Sequence, residues 1–424
     1  MTASTETPVQ QVAPDALCRF CSARLQHTFV NLGMSPLCQT QIAPAKLNEM
    51  EPFFPLHAYV CEQCYLVQLE EYVEPDIIFG EEYPYFSSYS DSWVEHARKY
   101  VAHVVSDHGI EKGDFVVELA SNDGYLLQHF VELGVKCLGI EPAKSVAEAA
   151  VARGIPTVSR FFGLATAEDL RSQEGPANLI LGNNVLAHVP DLNDFVAGVK
   201  HWLSADGFAT FEFPHLVKLM ELNQFDTIYH EHFSYFSFST VRNVFASHGL
   251  RTFDVLELPT HGGSLRVYVC HDDSTAHADR SGVESLLSRE QQRGYTELAT
   301  YLDFGPKVDR TKRRLLEFLI GAKNDGKSVV GYGAPGKGNT LLNYCGIRTD
   351  FIDYTVDRNP HKQGTFTPGT RIPICDPERI SETRPDYVLL LPWNLADEIT
   401  QSMAHIREWG GRFVVPIPDV QVLD

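Results

Sequence analysis

Long apolar runs and an excess of positive charge are both missing from this sequence. It has no stretch of about 18 apolar residues, which excludes an ordinary transmembrane helix. The first 14 residues lack the basic start and apolar run of a secretory signal peptide. Only 35 Lys and Arg residues stand against 55 Asp and Glu residues, giving a formal net charge of −20, which disfavours an extended nucleic-acid-binding surface. The sequence therefore predicts a cytoplasmic protein that binds neither membranes nor nucleic acid.

Cysteine occurs in an odd number, nine, in a chain without an export signal, so disulfides are not expected to organise the fold. Four cysteines form two CxxC pairs, Cys18 with Cys21 and Cys61 with Cys64, and Cys38 lies in the spacer between the pairs. Two such pairs present four thiolates to one tetrahedral ion and leave no open position for a substrate. We expect a structural Zn²⁺ site, with redox-active or unligated cysteines as the alternatives.

The middle of the chain contains DFVVELASNDGYLL, an apolar strand followed by a turn and the start of a helix. A second strand, VKCLGIE, ends about 20 residues later in Glu141, where an acidic residue can hold the ribose hydroxyls of an adenosine. The turn is not a dinucleotide fingerprint, because Ala120 and Asn122 stand where GxGxxG needs glycines. Glu118 and Asp123 make the loop acidic, which suits a cationic ligand better than a phosphate. This combination predicts a site for S-adenosylmethionine; a strand, turn and helix without a ligand is the alternative.

Further along the α/β alternation, polar and aromatic residues extend this predicted site. Phe162 follows a short strand and is placed to cover an adenine ring. Asn183, Asn184 and His188 follow the strand ANLILG, and the carboxyl ends of such strands are where ligands bind in open α/β sheets. The predicted cofactor residues are Glu118, Ala120, Ser121, Asn122, Gly124, Tyr125, Glu141, Phe162, Asn183 and Asn184.

A tyrosine-rich segment precedes the central strand and contains Tyr72, Tyr83, Tyr85 and Tyr89. If this segment lies over a cleft, its phenols can hydrogen-bond a polyhydroxylated ligand. Packing between two domains is the alternative role for these rings.

The densest group of reactive side chains is Tyr229-His230-Glu231-His232. Histidine is the natural base near neutral pH, and a neighbouring carboxylate can fix its tautomer and raise its basicity. The spacing is not that of HExxH, so a second metal site is not predicted. On a regular strand Tyr229 and Glu231 would face away from His232, so we predict that Ile228–Phe233 is a loop or a helix start. The residues alone do not choose between His230 and His232 as the base.

A second glycine-rich loop, GYGAPGKGNT, follows the strand SVVGYG in the C-terminal part. Its glycines, followed about 20 residues later by Asp357, fit a dinucleotide pattern, which keeps open an NAD-dependent sugar oxidoreductase or a protein with two cofactors. A Walker loop is excluded because Gly338 follows Lys337. The same cradle of backbone N–H groups also suits the pyrophosphate of a nucleotide-sugar. The predicted substrate-binding residues are Gly333, Lys337, Gly338, Asn339, Arg358 and Lys362.

In their order along the chain, these motifs resemble the nucleotide-sugar C-methyltransferases that alkylate 4-keto-6-deoxyhexoses on the way to branched sugars. The resemblance covers nearly the whole chain, through the two CxxC pairs, SPL, ELASNDGYLL, NNVLAHV, YHEHFSYFS, HGGSLR and GYGAPGKGNTLLNY. It implies that His232 is the base and Glu231 its partner. It also implies that Tyr229 and Tyr83 orient the substrate and that His188 is a further active-site group. The zinc ligands that it implies are Cys18, Cys21, Cys61 and Cys64.

The expected fold is α/β, with a central Rossmann-like S-adenosylmethionine-dependent methyltransferase sheet, a small N-terminal zinc module and a C-terminal Rossmann-like α/β domain. The expected boundaries are a disordered tail at 1–14, a zinc-binding module at 15–71, a methyltransferase domain at 72–280 and a nucleotide-sugar-binding domain at 281–424. The expected reaction, carried out by a monomer, is deprotonation of a nucleotide-linked 4-keto-6-deoxy sugar next to the ketone, followed by methylation of the enolate carbon. C-3 is favoured, although a 4-ketone also activates C-5, and the nucleobase stays open. A non-catalytic nucleotide-sugar sensor is the alternative from a different class.

Overall fold

The computed structural model describes residues 16–74 and 86–423. Tyr83 and Tyr85 therefore lie outside the described residues, as does the predicted tail at 1–14. Among the described residues, no helix combines the length and the apolar character needed to cross a bilayer.

An antiparallel sheet carries the N-terminal module. Within the described chain its strands lie in the order β1 (His27–Ser35), β2 (Phe54–Val60), β3 (Val67–Leu69) and β9 (Ser234–Tyr235). The last of these strands comes from a distant segment, in which Tyr235 pairs with Val67 and Ser234 pairs with Gln68. The residues that follow the predicted catalytic cluster are thus attached to the N-terminal sheet.

A mixed seven-stranded sheet lies at the centre of the described structure. Its spatial order is β10 (Leu250–Leu258), β11 (Ser264–His271), β8 (Leu203–Pro214), β7 (Ala177–Asn183), β4 (Phe115–Leu119), β5 (Lys136–Ile140) and β6 (Thr157–Val158). The run from β6 to β8 is parallel, and β11 is antiparallel to both β8 and β10. Val116, Val117 and Ile180 are fully buried, as expected for parallel strands covered on both faces. The strand order reverses between β4 and β7, and ligands bind in the crevice at such a point.

Helices flank the sheets and connect them. The helix before β4 is α1 (Asp91–His108), whose N-terminus is capped by the Ser90 hydroxyl, which accepts the Trp93 N–H at 3.3 Å. The other α-helices of the described residues are α2 (Leu127–Glu132), α3 (Lys144–Ala152), α4 (Leu164–Glu174), α5 (Leu192–Trp202), α6 (Leu216–Glu221), α7 (Phe238–Ser247), α8 (Ser281–Gln292), α9 (Leu298–Leu302), α10 (Phe304–Asn324), α11 (Gly336–Cys345), α12 (Glu378–Thr383) and α13 (Ala396–Ser402). Short 3₁₀ turns lie at Pro44–Lys46, Ser87–Tyr89, Leu186–His188, Phe225–Thr227, Thr260–Gly262, Trp393–Leu395 and Ala404–Trp409.

The C-terminal part forms a second α/β sheet. Its order in the described residues is β14 (Ile374–Cys375), β13 (Thr355–Val356), β12 (Val329–Tyr332), β15 (Tyr387–Leu390), β16 (Arg412–Val415) and β17 (Gln421–Leu423). Neighbouring strands are parallel except for β16 and β17. The order reverses between β12 and β15, so the glycine-rich loop after β12 and the residues after β15 meet at one edge of the sheet.

The N-terminal module contacts both α/β sheets. Phe29 of β1 stacks on Phe304 of α10 with ring centroids 4.6 Å apart, and buried residues of β1, α10 and α11 share one apolar cluster. Cys18 and Cys64 pack instead with the core of the central sheet. The three parts of the chain therefore meet around a common region.

Candidate active site

A cavity of about 1060 Å³ lies where the three parts meet. Its described wall includes the turn after β4, the ends of β5 and β7, the loop before β9 and the first turn of α11. Gln39 and Gln41 of the N-terminal module line the same cavity. Residues predicted for the cofactor, the base and the substrate thus surround one volume, which is at the upper end of typical ligand sites.

The turn after β4 is strained and is held in place by Glu141. Ala120 and Asn122 have φ of 54° and 51°, which is uncommon for residues other than glycine and is found at functional sites. Glu141 Oε2 accepts the Asn122 N–H, and its Oε1 accepts the Ala143 N–H, both at 2.9 Å. Burial raises the pKa of Glu141 to about 6, against the effect of these two hydrogen bonds. Ala120, Asn122, Tyr125 and Glu141 all line the cavity, as the predicted cofactor site requires.

Two asparagines after β7 give this end of the cavity polar groups for a ligand. Asn183 is 9% exposed, and its side-chain N and O atoms have no hydrogen-bond partner within the described residues. Leaving a buried amide unsatisfied costs about 1–3 kcal/mol, so a polar ligand atom is expected here. Asn184 lines the cavity with a positive φ of 54°, and Phe162 adds an aromatic wall beside Phe195, with ring centroids 5.2 Å apart. These residues fit the adenosine and amino-acid parts of S-adenosylmethionine.

Three predicted cofactor residues lie behind the cavity wall: Glu118, Ser121 and Gly124. Glu118 is buried, and burial, with neighbouring carboxylates acting in the same direction, raises its pKa well above the usual range. Glu118 is not among the residues that line the described cavity wall, and its predicted electrostatic role stays a prediction. Ser121 is fully buried beneath the turn. Gly124, with φ of 79°, packs so closely that an added Cβ would lie 2.2 Å from Ile155 Cδ1, which leaves no room for a side chain.

His232 lies on a turn, and its imidazole is fixed by a backbone carbonyl. Its own N–H donates to the Tyr229 carbonyl at 2.9 Å, and Ile228–Phe233 contains no strand, as predicted. His232 Nδ1 lies 2.9 Å from the Thr227 carbonyl oxygen. Because a carbonyl only accepts, the proton is assigned to Nδ1, and Nε2 carries the lone pair of a base. Burial, with the charge of His188 acting in the same direction, lowers the pKa of His232 well below its usual range.

Tyr229 and His188 flank this imidazole in the cavity wall. The Tyr229 and His188 rings lie 4.0 Å and 4.7 Å from the His232 ring, centroid to centroid, and all three residues line the cavity. His230 points elsewhere, since its Nε2 donates to the Pro55 carbonyl at 3.2 Å in the N-terminal module. Of the two histidines, His232 is therefore the one that lines the described cavity wall.

Glu231 is not the hydrogen-bond partner of His232, which corrects the prediction. Its Oε1 accepts the Cys38 thiol at 3.6 Å, while the Thr227 carbonyl holds the imidazole. The turn directs successive side chains to different partners, so adjacency in sequence does not bring the two groups together. Burial raises the pKa of Glu231 to about 7, with the Cys38 thiol acting in the opposite direction. Glu231 lines the cavity as a separate acid–base group.

The contribution of the N-terminal module to the cavity was missed in the sequence. Gln39 and Gln41 line the cavity, and Gln41 Nε2 has no hydrogen-bond partner in the described part of the chain. Cys38 anchors this segment, since its carbonyl accepts the Asn339 Nδ2–H of α11 at 2.7 Å. The adjoining SPL motif was the available signal.

The HGGSLR motif also contributes to the cavity, a role that was not predicted from the sequence. His261 lines the cavity edge-on to Trp93, with ring centroids 5.0 Å apart. Behind them, buried Glu212 accepts the His96 Nε2–H at 2.8 Å and pairs with Arg266. The motif therefore supports one wall of the cavity.

The tyrosine-rich segment reaches the cavity in its described part. Tyr89 lines the cavity, whereas the Tyr72 hydroxyl donates to Glu70 Oε2 at 2.6 Å. The predicted role of Tyr83 concerns a residue outside the described ranges and stays a prediction.

Two lysines give the cavity a cationic end at the first turn of α11. Lys337 and Lys362 both line the cavity. Lys337 Nζ donates to Asn394 Oδ1 and lies 4.6 Å from the centre of the Trp393 ring. Lys362 Nζ donates to the Ala334 carbonyl at 2.8 Å. Together with the positive end of the helix, these ammonium groups suit an anionic ligand.

The other predicted substrate residues are not among those that line the cavity. Gly333 serves the turn after β12, with φ of 84°, and Gly338 is buried behind it. The Asn339 amide is used by the N-terminal segment. Arg358 is exposed and donates to Glu398 at 3.4 Å. Of the six predicted substrate residues, Lys337 and Lys362 are therefore the two that line the cavity.

Asp357, the acidic residue of the dinucleotide pattern, holds the loop itself. Its Oδ2 accepts the Ala334 N–H and its Oδ1 accepts the Asn359 N–H, each at 2.8 Å. Glu141 is part of the described cavity wall, whereas Asp357 is not. Of the two acidic residues predicted to follow a nucleotide-binding strand, Glu141 is therefore the one that faces the described cavity.

The four CxxC cysteines converge into one group. Their Sγ atoms all lie within 4.8 Å of one another, and the Cys18–Cys64 and Cys21–Cys61 Sγ pairs are each 3.5 Å apart. Tetrahedral ligation with Zn–S of about 2.3 Å separates sulfurs by about 3.8 Å, so the group fits Zn²⁺. Gln68 Nε2 donates to Cys18 Sγ at 3.2 Å, the kind of outer contact that orients a metal ligand. Four thiolates leave no ligand position for a substrate, which gives the ion a structural role.

Metal analysis of the purified chain is expected to give about one zinc per chain. Cys61→Ser is expected to lose this zinc and to lower Tm by on the order of 10 °C, because metal binding contributes to folding. The matched control is Cys375→Ser, which changes a half-buried thiol of the C-terminal sheet and should keep both zinc and Tm. A stable, folded, zinc-free protein without activity would contradict a purely structural ion.

Comparison with known proteins agrees with this geometry. Three family models match in order: the zinc binding domain at 18–79, a methyltransferase domain at 93–255 and the C-methyltransferase C-terminal domain at 259–418. The chain is 39% identical to C-methyltransferase NovU of Streptomyces niveus over 412 residues, which covers 97% of this chain and 98% of that protein.

Solved structures resemble a smaller part of the chain. PH0226 from Pyrococcus horikoshii OT3 is 12% identical, covering 48% of this chain and 99% of that one with a TM-score of 0.37. Magnesium protoporphyrin IX methyltransferase ChlM from Synechocystis PCC 6803 with bound SAH is 13% identical, covering 42% and 83% with a TM-score of 0.34. The near full-length match to NovU and the ordered family domains show that this chain belongs to the C-methyltransferase family and is an S-adenosylmethionine-dependent C-methyltransferase.

Proposed function

We propose that this enzyme methylates a nucleotide-linked 4-keto-6-deoxy sugar at C-3, the carbon next to the ketone. The observation that carries the proposal is that one cavity is lined by a neutral histidine base, His232, by the unsatisfied amide of Asn183 and by Lys337. These groups match a carbon acid, a methyl donor and a diphosphate respectively. A 4-ketone acidifies both C-3 and C-5, and C-3 is the position that we propose and that the experiment below decides.

Proton removal falls to His232, whose Nε2 carries the lone pair. A carbon next to a ketone is a far weaker acid than imidazolium, so the enolate oxygen must be stabilised by hydrogen bonds. Tyr229 lies against the imidazole and supplies a phenol, and Glu231 supplies a second donor while it is protonated. His188 stays neutral because burial lowers its pKa to about 4. Bound S-adenosylmethionine supplies the electrophilic methyl group.

The nucleotide end of the substrate is assigned to the C-terminal domain. Lys337, Lys362 and the N–H groups at the start of α11 would hold the diphosphate. Gln39 and Gln41 offer amides to the sugar from the opposite part of the wall. Holding the sugar between the base and the methyl donor would supply several kcal/mol of the rate acceleration through alignment.

The domain roles follow from the same assignment. We place cofactor binding in residues 72–280, nucleotide-sugar binding in 281–424 and structural support in 15–71. All three parts line the cavity within one chain, which supports a monomer as the working unit.

Labelled methyl transfer tests the proposal directly. The chain is incubated with trideuteromethyl S-adenosylmethionine and a panel of nucleotide-linked 4-keto-6-deoxy sugars with different nucleobases. Mass spectrometry should show one labelled methyl group on a member of the panel, and NMR should place it at C-3. The matched 4-hydroxy sugars should gain no methyl group, because their ring C–H bonds are not acidified. Methylation at C-5 would overturn the position, and no methylation of any sugar would overturn the substrate class.

Methyl transfer is expected to fall as pH rises through about 7, the pKa to which burial raises Glu231. The raised pKa means that the carboxyl is a neutral donor below this pH and a carboxylate above it. His232 contributes no change there, because its pKa is lowered well below its usual range and it is neutral on both sides. Glu231→Gln keeps a hydrogen-bond donor at every pH, so the fall of kcat near pH 7, the alkaline limb of the pH profile, should disappear. The kcat of this variant should be about tenfold lower than that of wild type. An unchanged limb in this variant would show that another group titrates.

A further inference from the structure

Three consecutive residues, Asp226, Thr227 and Ile228, connect the base to the C-terminal domain. The middle residue accepts the His232 Nδ1–H through its carbonyl at 2.9 Å. A single 3₁₀ turn, Phe225–Thr227, carries this carbonyl. The Ile228 N–H, which shares a peptide plane with this carbonyl, donates to the Phe225 carbonyl at 3.0 Å and gives the carbonyl a first restraint. The residues on either side of Thr227 add further restraints.

Both neighbours of Thr227 are held by side chains of the C-terminal domain. Trp393 Nε1–H donates to Asp226 Oδ2 at 2.7 Å, and this carboxylate is fully buried. The Thr340 hydroxyl of α11 donates to the Ile228 carbonyl at 3.1 Å. The side chain that precedes the Thr227 carbonyl and the backbone carbonyl that follows it are thus both bonded to one domain.

The same two contacts lie next to the cationic end of the cavity. Lys337 precedes Thr340 by one helical turn of α11, and its Nζ lies over the Trp393 ring at 4.6 Å. Trp393 therefore contacts Lys337 with its face and Asp226 with its N–H. Burial raises the pKa of Asp226 to about 6, whereas the charge of Lys337 and the indole N–H act in the opposite direction. One indole is shared by the anion-binding end and the turn that holds the base.

We propose that Asp226, Trp393 and Thr340 are positioning residues that fix the Thr227 carbonyl and thereby keep the proton of His232 on Nδ1. They do not touch the reacting atoms; they act through the carbonyl, which leaves Nε2 as the base. The inference rests on the proposed function only in that His232 is the base. It gives the C-terminal domain a role at a base that lies in another segment.

The test reads the tautomer of His232 by ¹⁵N NMR of the full chain with labelled histidine. The chain has 17 histidines, and the spectrum of His232→Asn identifies the signals of His232. Trp393→Phe removes the N–H but keeps the ring under Lys337, and Thr340→Val removes the hydroxyl at nearly constant shape. The matched control is Trp409→Phe, because Trp409 Nε1 donates to the Pro385 carbonyl at 3.1 Å in the same domain but outside the described cavity wall.

We expect wild type and the Trp409→Phe control to show the proton of His232 on Nδ1. The Trp393→Phe and Thr340→Val variants, singly and combined, should show a mixture of tautomers and at least tenfold lower kcat, with the KM for S-adenosylmethionine unchanged. A folded double variant that keeps the Nδ1–H signal and normal kcat would overturn the proposal. If Trp393→Phe does not fold, Thr340→Val alone decides by the same signal. The tautomer is read without substrate, so failure of the proposed sugar methylation would not obscure the result.

Discussion

His232→Asn is expected to lower kcat for methyl transfer by about 10²–10⁴-fold, the usual contribution of a positioned general base. Asparagine can still donate to the Thr227 carbonyl, so the turn should keep its shape, but it has no basic lone pair at the position of Nε2. Affinity for S-adenosylmethionine, measured by calorimetry, should change by less than about twofold, because this loss would be confined to the transition state.

His230→Asn is the matched control for this prediction. It removes an imidazole two positions away that donates to the Pro55 carbonyl rather than facing the cavity. Its kcat should stay within about threefold of wild type. Equal losses in the two variants would show that the effect comes from the stability of the loop and not from the base.

Glu141→Ala is expected to weaken S-adenosylmethionine binding by about 100-fold. The change removes the acceptor of two backbone N–H groups, at Asn122 and Ala143, and with it the support of the strained turn. It also removes the carboxylate assigned to the ribose hydroxyls, and hydrogen bonds to a charged group contribute about 1.5–3 kcal/mol each. Calorimetric titration with S-adenosylmethionine and S-adenosylhomocysteine measures both affinities.

Glu148→Ala provides the control, since Glu148 is an exposed carboxylate on the adjacent helix α3. Its affinity should match that of wild type. Undiminished binding by a folded Glu141→Ala variant would mean that the cofactor lies elsewhere, and the C-terminal glycine loop would become the next candidate.

The central site could be predicted because each of its elements has a characteristic pattern over a short stretch of sequence. A parallel strand that is buried on both faces has a continuous apolar run in its sequence. The strand was therefore predicted through Phe115, Val116 and Val117, within Phe115–Leu119 of the structure, and Glu141 was predicted to follow the next strand. The turn at Ile228–Phe233 was predicted because a strand would have separated side chains that share one chemistry. The group of four cysteines could also be predicted, because the spacing of the two CxxC pairs alone indicates a tetrahedral metal site.

The partners of the catalytic groups could not be predicted in this way. His232 Nδ1 donates to the Thr227 carbonyl. Every residue has a backbone carbonyl, so the type of residue at position 227 does not predict this contact. Cys38 donates to Glu231 across 193 positions of sequence, through packing of the N-terminal module that no local pattern encodes. Glu118 was predicted as an acidic residue of the loop, but it lies within β4, where burial raises its pKa well above the usual range.

The most direct test of the account is hydrogen–deuterium exchange at the sugar carbon, followed by NMR in D₂O. The chain is mixed with the nucleotide-linked 4-keto-6-deoxy sugar that it methylates and with S-adenosylhomocysteine, which has no methyl group to transfer, so that proton removal is observed alone. The account predicts deuterium at C-3 with wild type and His230→Asn, and at least 100-fold slower exchange with His232→Asn. Exchange at the wild-type rate in folded His232→Asn would contradict it and would pass the role of base to His188 or to a tyrosinate.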